Sequence, residues 1–148
     1  MQVEDVRLSI GKEAGVSGWV EVDQGLVNQF AELTGDRQWI HVDAERARRE
    51  SPFGATVAHG FLTVALLSWL VSEAVDVRSD FKLRVNYGFN RLRFPAPVIV
   101  GSRIRAHVTP NAVRDVEGGI EIAWGVVVEI ENNAKPALAA EWLVRMYF

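Results

Sequence analysis

Asp36 and His41 are the residues whose types and spacing point first to chemistry. They lie in Thr34-Gly35-Asp36-Arg37-Gln38-Trp39-Ile40-His41-Val42-Asp43, between two stretches of helical pattern. Loops held by rigid elements are where catalytic groups concentrate. A separation of five with a turn between can bring a carboxylate and an imidazole into one small space. There they can share a water, one drawing a proton off and one giving a proton up. The same residue types also suit a turn cap and a satisfied buried histidine, and on types alone both readings stand. A second group, Ala58-His59-Gly60-Phe61, opens the most apolar stretch of the chain. A helix start presents unpaired N–H groups and a partial positive charge. Gly60 would let a ligand oxygen approach the backbone closely, so a carbonyl oxygen gaining negative charge could be held there. A helix start with a glycine for packing has the same sequence.

The elements that must position these groups follow from hydrophobic period. Asp23 can cap a helix carrying Leu26, Val27, Phe30, Ala31, Leu33 and Thr34, with Gly35 as its stop. Asp43 can cap a short helix through Ala44–Arg49, and Ser51-Pro52-Phe53-Gly54 is a loop signal. The segment from His59-Gly60 to Val75 is apolar around most of its circumference, so it reads as a buried helix that something must wrap. Beyond residue 80 the period changes to two. Ile104, Ala106 and Val108 alternate with Arg103, Arg105 and His107. Ile122, Trp124, Val126, Val128 and Ile130 recur at every second position, as do Leu138, Ala140, Trp142, Val144 and Met146. This marks half-buried antiparallel strands, with turns at Gly118-Gly119 and Asn132-Asn133 and a further strand within Phe81–Phe94. Helices followed by at least four long strands make an α+β domain, and one buried helix wrapped by a curved antiparallel sheet satisfies both halves, with an unrelated α+β sandwich as the alternative.

Composition narrows the classes. The chain has 148 residues, no cysteine, and 16 basic against 19 acidic residues, for a net charge of −3. Disulfide frameworks and thiolate metal clusters are excluded. A phosphate-backbone binder would carry a clear Lys/Arg excess, so nucleic acid is not an expected partner. The length suits a single domain over 1–148. No secretory signal is visible, and the apolar stretch Phe61–Val75 is too short to span a bilayer. The expectation is a soluble cytoplasmic protein with no membrane partner.

At this point the residues reach a family. Phe30-Ala31-x-Leu33-Thr34-Gly35-Asp36-x-x-x-Ile40-His41-x-Asp43, followed by Val57-Ala58-His59-Gly60-Phe61, resembles the MaoC-like dehydratases, which include the (R)-specific enoyl-CoA hydratases. Asn86-Tyr87-Gly88, then Arg91-x-Arg93-Phe94-x-x-Pro97-Val98 and Gly101, is also similar to this family. The resemblance covers roughly residues 17 to 147 and looks most like the small nodulation-protein-N-like branch.

The resemblance implies the hot-dog fold and a homodimer with substrate channels near the subunit interface. It implies Asp36 and His41 as the catalytic pair that binds the water added to, or lost from, an acyl thioester. The Gly60 N–H would hold the thioester oxygen. No metal or cofactor is implied, since N–H groups polarise the carbonyl. The thioester would be carried by coenzyme A or acyl carrier protein. Where many members have Asn-Pro between the Asp and the His, this chain has Gln38-Trp39, which marks both as pocket candidates. Asn86, Tyr87 and Arg93 are further candidates for the pocket or the dimer contact. His59 reads as structural and His107 as an inert exposed residue. Arg46, Arg48, Arg49, Arg103 and Arg105 offer charge to a carrier's phosphates or are solvated faces. Two alternatives are a hot-dog thioesterase, for which the long helix offers only Glu73, and a non-catalytic acyl-thioester binding module.

Overall fold

A computed structural model describes residues 1–148. Eleven elements follow in order: α1 (Val3–Leu8), β1 (Gly15–Val16), β2 (Val20–Glu21), α2 (Gln24–Thr34), α3 (Trp39–Val42), α4 (Ala44–Glu50), α5 (Gly60–Ala74), β3 (Leu83–Arg93), β4 (Arg103–Val116), β5 (Gly119–Ile130) and β6 (Leu138–Tyr147). The sheet is antiparallel, in the order β1-β4-β5-β6-β3, with β2 also on β4. The period-two residues face one way: Ile104, Ala106, Val108, Ile122, Trp124, Val126, Val128, Leu138 and Val144 join one core with Leu62, Leu67, Leu70 and Val71 of α5.

The polar signals act where the sequence places them. The Asp23 carboxylate accepts from the Leu26 N–H at 2.8 Å and that of Asp43 from the Arg46 N–H at 2.9 Å, starting α2 and α4. Gly35 ends α2 at φ +80°, a left-handed conformation that favours glycine. Gly118 and Asn132, both left-handed, sit at the turns that bound β5.

Three features differ from the sequence expectation. The sheet covers α5 on one side only, leaving Phe61 70% and Trp69 49% exposed. The helix is therefore half-wrapped in the single chain, and its uniform apolarity is more than one sheet consumes. A short helix, α1, carries the fully buried Val6 into the core from a segment with no clear period. β1 and β2 are two residues each, too short to show a period, and they border β4. No helix is long and apolar enough to cross a membrane.

Candidate active site

The α2 stop and the start of α5 bring two loops against each other. Gly35 turns the chain so that Asp36 begins the first loop, which runs through α3 to His41. The second loop, residues 56–59, leads into α5. The Val57 N–H donates to the Ile40 carbonyl at 3.0 Å and the Ala58 N–H to the Val98 carbonyl at 2.8 Å, so the second loop is held on both sides. Gln24 of α2 ties in both, its amide donating to the His41 carbonyl at 2.7 Å while the Thr56 hydroxyl donates to its Oε1 at 2.6 Å.

This junction gathers Asp36, His41 and His59. A carboxylate oxygen of Asp36 and one ring nitrogen from each histidine lie within 4.8 Å of one another. Asp36 is exposed and both histidines are buried. His41 Nδ1 lies 2.6 Å from the Val57 carbonyl oxygen. A carbonyl only accepts, so Nδ1 carries a proton, and in the neutral ring Nε2 is the nitrogen with the lone pair. His59 Nε2 lies 2.9 Å from the Asp36 main-chain oxygen, which fixes its proton on Nε2 by the same argument. The two rings stack with centroids 3.8 Å apart and planes 22° from parallel. Phe30 of α2 meets the His59 ring edge-on at 4.9 Å.

Gly60 follows His59 as the first residue of α5, where N–H groups have no intrahelical acceptor. A Cβ at this position would lie 3.1 Å from the Phe94 ring, so the close approach of Phe94 depends on glycine. Gly60, Thr63, Phe94, Pro97 and Ala137 line a cavity of about 250 Å³ there. The chemistry this affords is clear in outline. A bare imidazole nitrogen and a carboxylate, both acceptors, sit beside a helix start able to donate to an oxygen that gains charge.

The other sequence candidates fall in different places. Gln38 is exposed, and its N–H lies 3.4 Å from an Asp36 carboxylate oxygen. Trp39 opens α3 with the Arg46 guanidinium 4.3 Å over its ring, which pins it to α4. Asn86 lines a separate cavity of about 310 Å³ with Ser68, Val71, Trp124 and Trp142. Tyr87 lies beneath the Arg145 guanidinium at 3.4 Å, on the sheet face away from α5. Arg93 is exposed, ends β3, and donates to the carbonyl of Leu92. The single chain brings none of Asn86, Tyr87 or Arg93 into the Asp36–His41 junction. The five arginines named for carrier phosphates are mostly paired: Arg46 with Glu50, Arg49 with Glu45, Arg103 with Glu131 and Arg105 with Glu129. Arg48 alone among them has no acidic partner. His107 is not a free exposed side chain either, being clasped by Glu13 at 2.8 Å and Glu129 at 2.7 Å. His59, read from the sequence as structural beside Gly60, joins Asp36 and His41 at this junction.

A profile of the MaoC like domain matches residues 5–132. The chain belongs to the MaoC-like dehydratase family. Among MaoC-like relatives, the 3-hydroxyacyl-thioester dehydratase Z of Mycobacterium tuberculosis is 49% identical over 144 residues, covering 97% of this chain and 94% of that one. Nodulation protein N of Rhizobium meliloti is 43% identical over 149 residues, covering 100% of this chain and 92% of that one. A solved MaoC-like dehydratase from Rhodospirillum rubrum superposes with a TM-score of 0.80 at 21% identity, covering 99% and 97% of the two chains. The (R)-hydratase from A. caviae gives 0.67 at 24% identity, over 90% and 96%. The MaoC-like architecture is thus the hot-dog fold seen here, an antiparallel sheet laid over α5.

Proposed function

We propose that this MaoC-like protein is a hydro-lyase that adds water reversibly to a trans-2-enoyl thioester, giving the (R)-3-hydroxyacyl thioester. The observation that carries the reading is the pairing of His41 with Asp36: a ring nitrogen of His41 lies within 4.8 Å of the Asp36 carboxylate while Nδ1 is anchored on the Val57 carbonyl, so the neutral ring keeps Nε2 as a base. Two acceptors can hold both hydrogens of one water and turn its oxygen lone pair toward C3 of the substrate. As the new C–O bond forms, one acceptor takes a proton and returns it to C2, so the elements of water are added with none left over. Charge passes to the thioester oxygen as an enolate, and the N–H groups at Gly60 and the α5 dipole stabilise it.

No metal is part of this reading. Asp36, His41 and His59 are a donor set a cation could use, but each ring already spends one nitrogen on a main-chain carbonyl, and the remaining His59 Nδ1 is buried without a partner. The residues therefore fit direct acid–base chemistry better than a chelate. A thioesterase of this fold would carry a carboxylate on the long helix itself to activate water, and α5 offers only Glu73. Glu73 stands near the far end of α5, about 20 Å from the helix start by the helix rise, and it accepts from the Trp69 indole at 2.9 Å.

A second copy of the chain belongs to the proposal. β3 is hydrogen-bonded to β6 alone, leaving one edge of 11 residues free, with Leu83, Val85 and Tyr87 exposed on it. Such an edge is a template for another strand, and a two-fold pairing of β3 with its copy would cover it. The exposed Phe61 and Trp69 of α5 supply further apolar surface for that contact. A cytoplasmic location and thioesters of coenzyme A or acyl carrier protein complete the reading.

The test is hydration of crotonyl-CoA by the wild type, Asp36→Asn and His41→Ala. Each substitution is expected to lower kcat/KM by about 10²–10⁴-fold, the usual contribution of a general acid–base group. Two variants as active as the wild type would remove the pair from the mechanism.

A further inference from the structure

We propose that His59 is a positioning residue for this reaction. Its ring donates to the Asp36 main chain and lies flat on His41, setting the geometry of the pair without touching substrate. The inference rests on the hydratase reading above.

Four observations carry it. Asp36 is otherwise loosely tethered: its N–H meets the Thr34 hydroxyl at 3.4 Å, and its carboxylate meets the Gln38 N–H at 3.4 Å. The contact from His59 Nε2, at 2.9 Å, is the shortest polar hold on this residue. The arrangement is also reciprocal. His41, on the first loop, donates to Val57 on the second, and His59, on the second, donates back to Asp36 on the first. Each loop is thus fixed by the other's imidazole. Thirdly, the His59 ring is packed by two others, stacked on His41 at 3.8 Å and edge-on to Phe30 at 4.9 Å.

The fourth observation separates position from stability. His59 is 3% exposed, and its Nδ1 is buried with no hydrogen-bond partner. An unpaired buried acceptor is unfavourable. A phenyl ring would keep the stacking and remove that penalty while losing the hydrogen bond to Asp36, two changes of similar size and opposite sign for folding. What the histidine adds is the N–H aimed at Asp36.

The experiment measures crotonyl-CoA hydration and thermal midpoint for wild type, His59→Phe, His59→Gln, Asp36→Asn and the double variant Asp36→Asn/His59→Phe. His59→Phe keeps a ring and loses the donor. It is expected to lower kcat by about 10–100-fold, as removal of an orienting partner does, with KM within about twofold of wild type and a thermal midpoint close to wild type. His59→Gln restores a terminal N–H and is expected to recover kcat toward wild type. The double variant is expected to be no slower than Asp36→Asn, because both act through one carboxylate. A wild-type kcat in His59→Phe overturns the proposal. So does a kcat loss that merely follows a fall in midpoint, or a His59→Phe chain that fails to fold, since the histidine would then serve stability. Absence of hydration in the wild type, or full activity in Asp36→Asn, would instead sink the parent reading.

Discussion

Two regions of the molecule use the same residue types for opposite ends. On the face of the sheet away from α5, acids and bases are consumed by each other. Glu121, with its side chain only 4% exposed, accepts from Arg114 at 2.5 Å and from Arg145 at 2.9 Å. Glu129 receives Arg105 and His107, and Glu141 receives Asn90 and Asn111. At the junction of the two loops, Asp36 has no Arg or Lys partner, and both histidines spend one nitrogen on a main-chain carbonyl. A carbonyl is neutral and only accepts, so it fixes tautomer and orientation while leaving the other nitrogen bare. A carboxylate partner, as at His107, engages the ring as a charge. The difference teaches where chemistry can happen: reactive groups are those held firmly by neutral partners and not yet neutralised.

The protonation equilibria follow the same division. Burial alone would push the Glu121 carboxyl up, but the hydrogen bonds from Arg145 and Arg114 outweigh it and hold the group below its ordinary range. The Glu129 hydrogen bond, against some burial, raises the His107 imidazole above its ordinary value with help from Glu13.

The comparison can be broken most severely by exchanging the effects of its two carboxylates. Asp36→Asn is expected to lower hydration by about 10²–10⁴-fold with an unchanged thermal midpoint. Glu121→Gln is expected to keep kcat and lower stability by about 1–3 kcal/mol, because Arg145 and Arg114 lose a charged acceptor. Activity assays and thermal melts on both proteins decide it, and a Glu121→Gln protein that folds normally but is inactive would erase the distinction.

Gly60→Ala carries a smaller expected effect. Its Cβ would press on the Phe94 ring and shift the helix start, for a loss on the order of 10²-fold in kcat/KM. The same change with no kinetic consequence would show that the Gly60 backbone holds no substrate oxygen. Val85→Asp, on the free edge of β3, is expected to convert a dimer to monomers by light scattering. A wild-type mass in that variant would move the subunit contact elsewhere.

The smallest expected effect is a pH dependence at His107. Its pKa is raised on folding, so its contribution is fully present below about 6.5, the unfolded value. That contribution is lost as pH rises through the higher folded value. Thermal midpoints of wild type and His107→Ala should therefore differ more at pH 5.5 than at pH 9, with hydration rates alike. A gap that widened with pH would reverse the assignment.

Much of this was legible in the sequence wherever a local rule applied. Period two exposed β4, β5 and β6, the caps Asp23 and Asp43 marked two helix starts, and Gly35 marked a stop. Asp36, His41 and Gly60 stood out as candidates through residue type and spacing together with the resemblance to the MaoC-like dehydratases. What stayed hidden depends on partners distant in the chain. The pairing of Arg105 with Glu129 becomes visible only once the β4–β5 register places them opposite each other. Val6 reaches the core from a helix of 6 residues, too short to show a face. The hold of His59 on Asp36 also stayed hidden, because it ends on main chain 23 residues earlier and no side-chain pattern records a carbonyl.

The most direct measurement mixes the wild-type protein with crotonyl-CoA and follows two signals together, the absorbance of the conjugated thioester and the appearance of free thiol. The expected result is decay of the absorbance to a hydration equilibrium, reached equally from (R)-3-hydroxybutyryl-CoA, with no thiol released. Thiol release without hydration, or no change in either signal across a range of chain lengths, would contradict the account.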